Sequence, residues 1–327
     1  VGNSKYQNMT LSPKDLAQDV LKGNRRSVAR LMTAIENEDP ESRAAISQLY
    51  PHTGNAYIVG VTGPPGSGKS TLIGQLAKQY RRRRKKVGII AVDPSSPFTG
   101  GALLGDRIRM QELSADEGVF VRSMATRGSL GGLARFTVDL VNVLDAFGCD
   151  VIFVETVGAG QSEVDVIKLA DVVMLVMAPG LGDDIQAIKA GIMEIGDIIA
   201  VNKADRENAE RTMLEIREAI ELDTEQKEWI PPIVKTIATS NEGVEELVEK
   251  LDEHRVFHMK AGLARTRIKG EIQLLEALKV RLAETVMTGL KGDRDYEIMI
   301  EKIASRQLNP YEAAAMLVGK IVRRNQD

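Results

Sequence analysis

The strongest chemical signature lies at Gly63-Pro64-Pro65-Gly66-Ser67-Gly68-Lys69-Ser70, which satisfies G-x-x-x-x-G-K-[ST] between a strand-like run and a helix-like run. Glycines so spaced let successive backbone N–H groups turn inward around phosphate oxygens. The N-terminus of the following helix adds its positive end to the same hollow. In this pattern Lys69 neutralises the β- and γ-phosphates, the Ser70 hydroxyl ligates Mg2+, and Thr71 closes the nucleotide-binding run. The competing reading is a flexible glycine turn, and the strand–helix context counts against it.

A second constellation selects the base. Asn202-Lys203-Ala204-Asp205 is N-K-x-D at the end of the strand-like run 198–202. The carboxyl ends of strands are where open α/β sheets bind ligands. The Asp205 carboxylate can accept from the guanine ring N–H and from its neighbouring exocyclic amine. Adenine offers no such pair, so the carboxylate would be left unpaired against it, a discrimination of several kcal/mol. Asn202 is expected to brace the loops, and the Lys203 stem to cover the base. Downstream of a phosphate loop, this motif favours GTP over ATP. The turn Ala238-Thr239-Ser240-Asn241 reads either as a second base-side loop or as the N-cap of the next helix.

Three carboxylates lie where they can act on the γ-phosphate: Asp93 at a strand end, Asp106 in a glycine-rich stretch, and Glu155 in Glu155-Thr-Val-Gly158. Phosphoryl transfer needs a held metal ion and a water aimed in line. Ser70 with two or three of these carboxylates can supply both, and spacing leaves open which carboxylate does which. Gly158 can sense the γ-phosphate through its N–H. No glutamine follows Gly158 directly, so slow intrinsic hydrolysis awaiting a partner is expected. A third loop, Pro179-Gly-Leu-Gly182-Asp183-Asp184-Ile-Gln186-Ala-Ile-Lys189, reads equally as a nucleotide-dependent mobile segment or as an ordinary helix capped by Asp183 or Asp184.

Elements that could position these residues are visible in the pattern. Seven β-branched runs, at 57–62, 87–92, 119–122, 151–155, 172–178, 198–202 and 233–238, are apolar at consecutive positions. Such runs belong to strands covered on both faces, hence a doubly wound, mostly parallel α/β sheet. Crossover helices are expected at 68–80, 132–147, 184–195, 206–220 and 243–255. Residues 14–37 predict two short amphipathic helices parted at Gly23-Asn24. From 257 to 290 the apolar residues Ile268, Ile272, Leu275, Leu282 and Val286 fall at near-heptad steps, which predicts a long helix, read either as a subunit interface or as a plain packed helix followed by a closing helical hairpin at 296–306 and 310–323. The resulting plan is a helical extension at 1–50, a nucleotide domain at 51–256 and a C-terminal helical dimerisation region at 257–327.

Composition narrows the classes. The 327 residues carry 43 Lys+Arg against 46 Asp+Glu, a net charge of −3 that gives no global field for a polyanion. The basic run Arg81–Lys86 reads as a solvated loop rather than a nucleic-acid patch. One cysteine, Cys149, and three histidines disfavour disulfides and soft-metal sites. No apolar run reaches the roughly 18 residues of a membrane span. The first 13 residues resemble neither a secretory segment nor a presequence, so a reducing, cytoplasmic setting is expected, with any leader ahead of Val1 left open.

Taken together, Gly63–Ser70, the stretches 93–110 (DPSSPFTGGALLGDRIRM) and 127–135 (RGSLGGLAR), Glu155–Gln161 and Asn202–Asp205 resemble the MeaB/ArgK/MMAA family. Its members are P-loop GTPases of the metallochaperone class that serve adenosylcobalamin-dependent acyl-CoA mutases. The resemblance runs from about residue 14 to the end. It implies a homodimer in which GTP binding and hydrolysis gate cobalamin delivery and protect or reactivate the mutase. Cobalamin adenosyltransferase is a further implied partner, and adenosylcobalamin belongs to the mutase. Carried over by position, the phosphate loop is Gly63–Ser70, the metal and catalytic carboxylates are Asp93, Asp106 and Glu155, and base recognition falls to Asn202, Lys203 and Asp205. The partner-responsive switch is 182–189, with Gln186 and Lys189 reaching toward nucleotide or mutase. The client, of methylmalonyl-, isobutyryl- or hydroxyisobutyryl-type, stays open. The alternatives are a metallochaperone for another metal enzyme, and a P-loop small-molecule or protein kinase, which would not need N-K-x-D.

Overall fold

A computed structural model of the chain describes residues 12–93, 113, 115–125, 132–156, 170–180, 196–221, 228–290 and 293–324. The β-branched runs form β1 (Tyr57–Thr62), β2 (Val87–Asp93), β3 (Val119–Ala125), β4 (Val151–Thr156), β5 (Val172–Met177), β6 (Ile198–Asn202) and β7 (Ile233–Thr236). They make one sheet in the order β3-β2-β4-β1-β5-β6-β7, with every pairing parallel. All residues of β1, β4, β5 and β6 are buried, which is why these runs are apolar without alternation.

Successive side chains feed opposite faces of the sheet. Val59, Val61, Phe153, Met174 and Val176 pack with Leu72, Ile73 and Leu76 of α4 (Lys69–Arg82). Ile58, Ile90, Val92, Ile152 and Val154 pack on the other side with Leu140 and Leu144 of α5 (Gly132–Ala146). That second cluster also takes in three N-terminal helices, α1 (Pro13–Leu21), α2 (Arg25–Glu36) and α3 (Ser42–Leu49). Ser12 and Asp15 form a reciprocal capping box on α1, and Asn24 caps α2 by accepting from the Arg26 and Ser27 amides. Two helices were expected here, and α3 is an addition. Its eight residues bury only Ser42, Ala45 and Leu49, too short a pattern to register as periodic. Arg122 of β3 ties α2 to the sheet edge through Glu36 and Thr33.

A recurrent device fixes the amino-terminal edge of the sheet. Asp150, Asp171 and Asp197 each stand one residue ahead of a strand. The carboxylate of Asp150 accepts from Lys86 N at 2.7 Å, that of Asp171 from Ile58 N at 2.8 Å, and that of Asp197 from Val173 N at 2.8 Å. Each aspartate N–H donates in turn to the carbonyl of the same neighbour. Burial works to raise the Asp150 carboxyl, but the Lys86 amide and the Lys85 ammonium prevail and hold it below the ordinary carboxylate range.

The run Arg81–Lys86 is engaged within the molecule. Arg81 pairs with Asp116 at 3.0 Å, Arg83 with Asp252 at 2.7 Å and Lys85 with Asp150 at 3.0 Å, while Lys86 lies 4.2 Å from the centre of the Phe147 ring.

Beyond α6 (Ala209–Glu221), whose start is delayed past Arg206 by the left-handed backbone of Asn208, the chain enters one 47-residue helix, α7 (Val244–Leu290). The ranges 243–255 and 257–290, read as separate elements, are one continuous helix. What changes along α7 is its surroundings: Val244, Leu247, Val248 and Leu251 are buried, whereas Leu274, Leu275, Leu278 and Leu282 are exposed. The chain divides into two compact units, Val1–Ala264 and Arg265–Asp327. In the second, α8 (Arg294–Ala304) and α9 (Pro310–Arg324) close on Leu290 and Leu317 with Val286, Tyr296 and Met299, and Asp293 both caps α8 and binds Lys320. The expected helix at 184–195 lies outside the described residues. Among the described residues no helix is long and apolar enough to cross a membrane.

Candidate functional site

The chain leaves β1 between β4 and β5 and crosses to β2, so the carboxyl end of β1 is a topological switch point. The loop Gly63–Gly68 occupies it. Gly63 has φ 138°, and a Cβ there would stand 2.1 Å from the Val176 carbonyl oxygen, so the loop lies directly on β5. Gly68, at φ 92°, opens α4, and a Cβ on it would meet the Asn202 side-chain nitrogen at 2.4 Å. Only glycine satisfies both the dihedral and the space.

Lys69 is the first residue of α4, and its buried ammonium turns back to donate to the Gly63 and Pro64 carbonyls at 2.7 and 3.1 Å. Ser70 Oγ donates to Glu155 Oε1 at 2.7 Å. Glu155 is buried on β4, where it pairs in register with Val61 of β1. Thr71 is half-buried on the same first helical turn, and Pro65 and Gly66 face solvent. A hydroxyl held on a carboxylate beside a helix N-terminus is a hard oxygen donor set, suited to Mg2+ rather than to a soft metal.

Asn202 is buried at the end of β6 and joins three loops. Its Nδ2 donates to Ser67 O at 2.8 Å, while its Oδ1 accepts from Ala238 N at 3.1 Å and from Thr236 Oγ1 at 3.3 Å. Lys203, in the left-handed region at φ 57°, donates from Nζ to the Gly66 carbonyl. Ala204 N donates to Thr236 O at 3.1 Å. Asp205, Thr239 and Ser240 are exposed in the loops that follow β6 and β7. Ser240 Oγ bonds Glu242 Oε1 at 2.7 Å and Ile237 O at 3.3 Å, and α7 opens only at Val244, behind Gly243, so the helix-capping alternative for this turn is not realised. Gly243, at φ 69°, allows the turn, because a Cβ there would stand 1.9 Å from Lys235 O.

Asp93 ends β2 opposite Ala125, at the same carboxyl edge, and its side chain is outside the described residues. Asp106, Gly158, Gly182, Asp183, Asp184, Gln186 and Lys189 also lie outside them. At the carboxyl edge of the sheet, hydrogen bonds thus join Lys69 to Gly63 and Pro64, Ser70 to Glu155, Asn202 to Ser67, and Lys203 to Gly66. Thr236, bonded to Asn202, is a neighbour that the motifs did not name. Its place level with Asn202 follows from the β6–β7 register, which the sequence pattern does not carry.

A parallel sheet with this glycine loop at its switch point, and with N-K-x-D at the end of β6, defines a P-loop GTPase. Residues 28–291 match the family model of the methylmalonyl Co-A mutase-associated GTPase MeaB, and the chain belongs to that family. A relative from Pyrococcus horikoshii is 54% identical over 317 residues, covering 95% of this chain and 98% of its own length. The GTPase ArgK of Escherichia coli is 36% identical over 287 residues, covering 84% of this chain and 85% of its own. The crystal structure of a LAO/AO transport system kinase superposes with a TM-score of 0.68 at 26% identity, covering 94% of this chain and 97% of that one.

Proposed function

We propose that this GTPase is a chaperone that uses GTP binding and hydrolysis to gate adenosylcobalamin loading into an acyl-CoA mutase of the methylmalonyl-CoA mutase type, and to protect or reactivate that enzyme. The observation that carries the reading is membership of a family described as methylmalonyl Co-A mutase-associated, over residues 28–291. The mouse mitochondrial methylmalonic aciduria type A homolog, 31% identical over 91% of this chain and 77% of its own, supports the same direction.

In this reading Gly63–Thr71 holds the phosphates, with the Lys69 ammonium exchanging the Gly63 and Pro64 carbonyls for phosphate oxygens. Ser70, Glu155 and Asp93 hold Mg2+, which supplies neutralisation of charge developing on the β- and γ-phosphates. Glu155, Asp93 and Asp106 divide metal holding and water positioning among them. Asp205 reads guanine, with Thr239 and Ser240 on the far side of the base. The loops around Gly158 and 182–189 respond to the γ-phosphate and to the mutase. Intrinsic turnover is slow and rises when the mutase binds.

The chain works as a cytoplasmic homodimer, joined through the second half of α7, where Leu274, Leu275, Leu278 and Leu282 present an apolar face. Cobalamin adenosyltransferase is the second partner of the cycle.

Phosphate release from GTP and from ATP, with and without a cobalamin-dependent acyl-CoA mutase, tests the proposal. GTP-selective turnover stimulated by the mutase supports it, and indifference to the mutase refutes it. A protein or small-molecule kinase, the reading suggested by the name of the superposed transport kinase, would instead use ATP and leave a phosphorylated acceptor.

A further inference from the structure

We propose that Thr62 is a positioning residue for GTP hydrolysis: its buried hydroxyl holds one internal water, shared with Thr156, that ties the end of the strand carrying the phosphate loop to the end of the strand carrying Glu155. The inference rests on the role given to Glu155 above and adds Thr62, which lies ahead of the phosphate motif.

Thr62 is the last residue of β1, directly before Gly63, and Thr156 is the last residue of β4, directly after Glu155. Both are buried. The register sets Val61 against Glu155, so the two threonines are the next pair along the same parallel strands. Alternation puts both on one face. Val59, Val61 and Phe153 face α4, as Glu155 does through Ser70. Ile58, Ile152 and Val154 face away from it, and Thr62 and Thr156 continue that second row.

Packing alone does not call for hydroxyls here. Ile58, Ile152 and Val154 in the same row are apolar, and valine has nearly the shape of threonine. The Thr156 hydroxyl donates to the Val61 carbonyl at 3.4 Å, which leaves its lone pairs open to a donor. Thr62 Oγ1 is shielded from solvent and meets no hydrogen-bonding group of the protein. A hydroxyl so placed destabilises the fold unless something else bonds it. A water between the two neighbouring hydroxyls satisfies Thr62 and reaches Thr156 as well.

The consequence is geometric. Gly63 opens the phosphate loop one residue past Thr62, and Glu155, which accepts from the Ser70 hydroxyl at 2.7 Å, lies one residue before Thr156. The link therefore fixes the spacing between the loop that holds phosphate and the carboxylate assigned to metal and water. Phosphoryl transfer depends on that spacing, whereas capture of GTP rests on the loop itself.

Thr62→Val, assayed by phosphate release at saturating GTP with magnesium, tests this. The expected result is a kcat lowered about fivefold, the effect of one lost buried hydrogen bond, with KM for GTP within about twofold of the parent. Thr62→Ser, which keeps the hydroxyl, should return kcat to within about twofold. Thr156→Val should lower kcat similarly, and the double variant should fall no further, because both single changes break one link. If Thr62→Val does not fold, as judged by circular dichroism, Thr62→Ala is read in the same way. Parental kcat, above all with a raised melting temperature, would overturn the proposal, because the hydroxyl then serves nothing in turnover. Failure of Thr62→Ser to restore kcat, or losses that add in the double variant, would overturn it too. Glu155→Gln is run alongside. If it leaves kcat intact, the Glu155 reading falls and this proposal with it. If it lowers kcat while Thr62→Val changes nothing, the Thr62 proposal alone falls.

Discussion

The Tyr57 hydroxyl stands 2.9 Å from His254 Nδ1, joining the first residue of β1 to α7 across 197 positions of sequence. His254 is fully buried, with Trp229 packed edge-on at 4.9 Å and the indole N–H donating to Asp197 O at 2.7 Å. Burial pushes the Tyr57 phenol well above its ordinary range, so it keeps its proton and remains available as a donor to the imidazole. The first half of α7 is thereby anchored at the end of the sheet away from the nucleotide loops.

Tyr57→Phe should cost about 1–3 kcal/mol of unfolding free energy, since it leaves a buried imidazole nitrogen without its partner. Trp229 is the only tryptophan of the sequence, so its fluorescence in a urea titration reports on this contact. An unchanged midpoint would show that the contact contributes nothing. GTP turnover of the folded variant should match the parent.

Gly68→Ala should abolish GTP binding in a calorimetric titration and destabilise the fold by about 2 kcal/mol or more. A non-glycine residue at φ 92° is strained, and its Cβ would displace the Asn202 amide. Parental binding heat would contradict the geometry of the loop.

Acid should weaken the fold partly through Asp116. The Arg81 guanidinium, bonded to its carboxylate, holds the Asp116 pKa below the ordinary carboxylate value, and the Gly118 amide adds to this against a small opposing effect of burial. The folded chain then takes up this proton less readily than the unfolded one. The contribution is full above about pH 4 and drains away as pH falls through the lower, folded value. Arg81→Gln should flatten that acid loss in urea midpoints measured from neutral pH downward. The effect is small, because the pair is partly exposed and screened.

Cys149 should resist thiol reagents at pH 8 until the protein unfolds. Burial pushes its thiol up to about 12, against a smaller opposing effect of the Lys86 charge, and the side chain is 2% exposed. Stoichiometric labelling of the native protein without loss of structure would contradict this.

Much of the architecture was readable from residues alone, and its gaps have physical causes. β1 and β6 match their expected ranges because strands covered on both faces leave uninterrupted β-branched text. The continuity of α7 was missed because a change from buried to exposed surroundings alters the apolar pattern without interrupting the backbone hydrogen bonds. At the site, the glycine loop and N-K-x-D are local in sequence and therefore visible. The joining of Ser70 to Glu155, and of Asn202 to Ser67, Thr236 and Ala238, depends on strand order, which no local pattern encodes. The acidic partners of the basic run, Asp116, Asp150 and Asp252, are likewise distant in sequence.

Asp150, Asp171 and Asp197 carry a consequence for evolution of the molecule. Each clasps one particular amide in or just ahead of an adjacent strand, so sliding any of these strands by a single residue forfeits a clasp as well as inverting its side chains. Connections at the opposite rim other than the nucleotide loops can therefore be rewritten without disturbing alignment of the strands. A lineage could exchange clients by altering those connections while inheriting an unchanged frame beneath them.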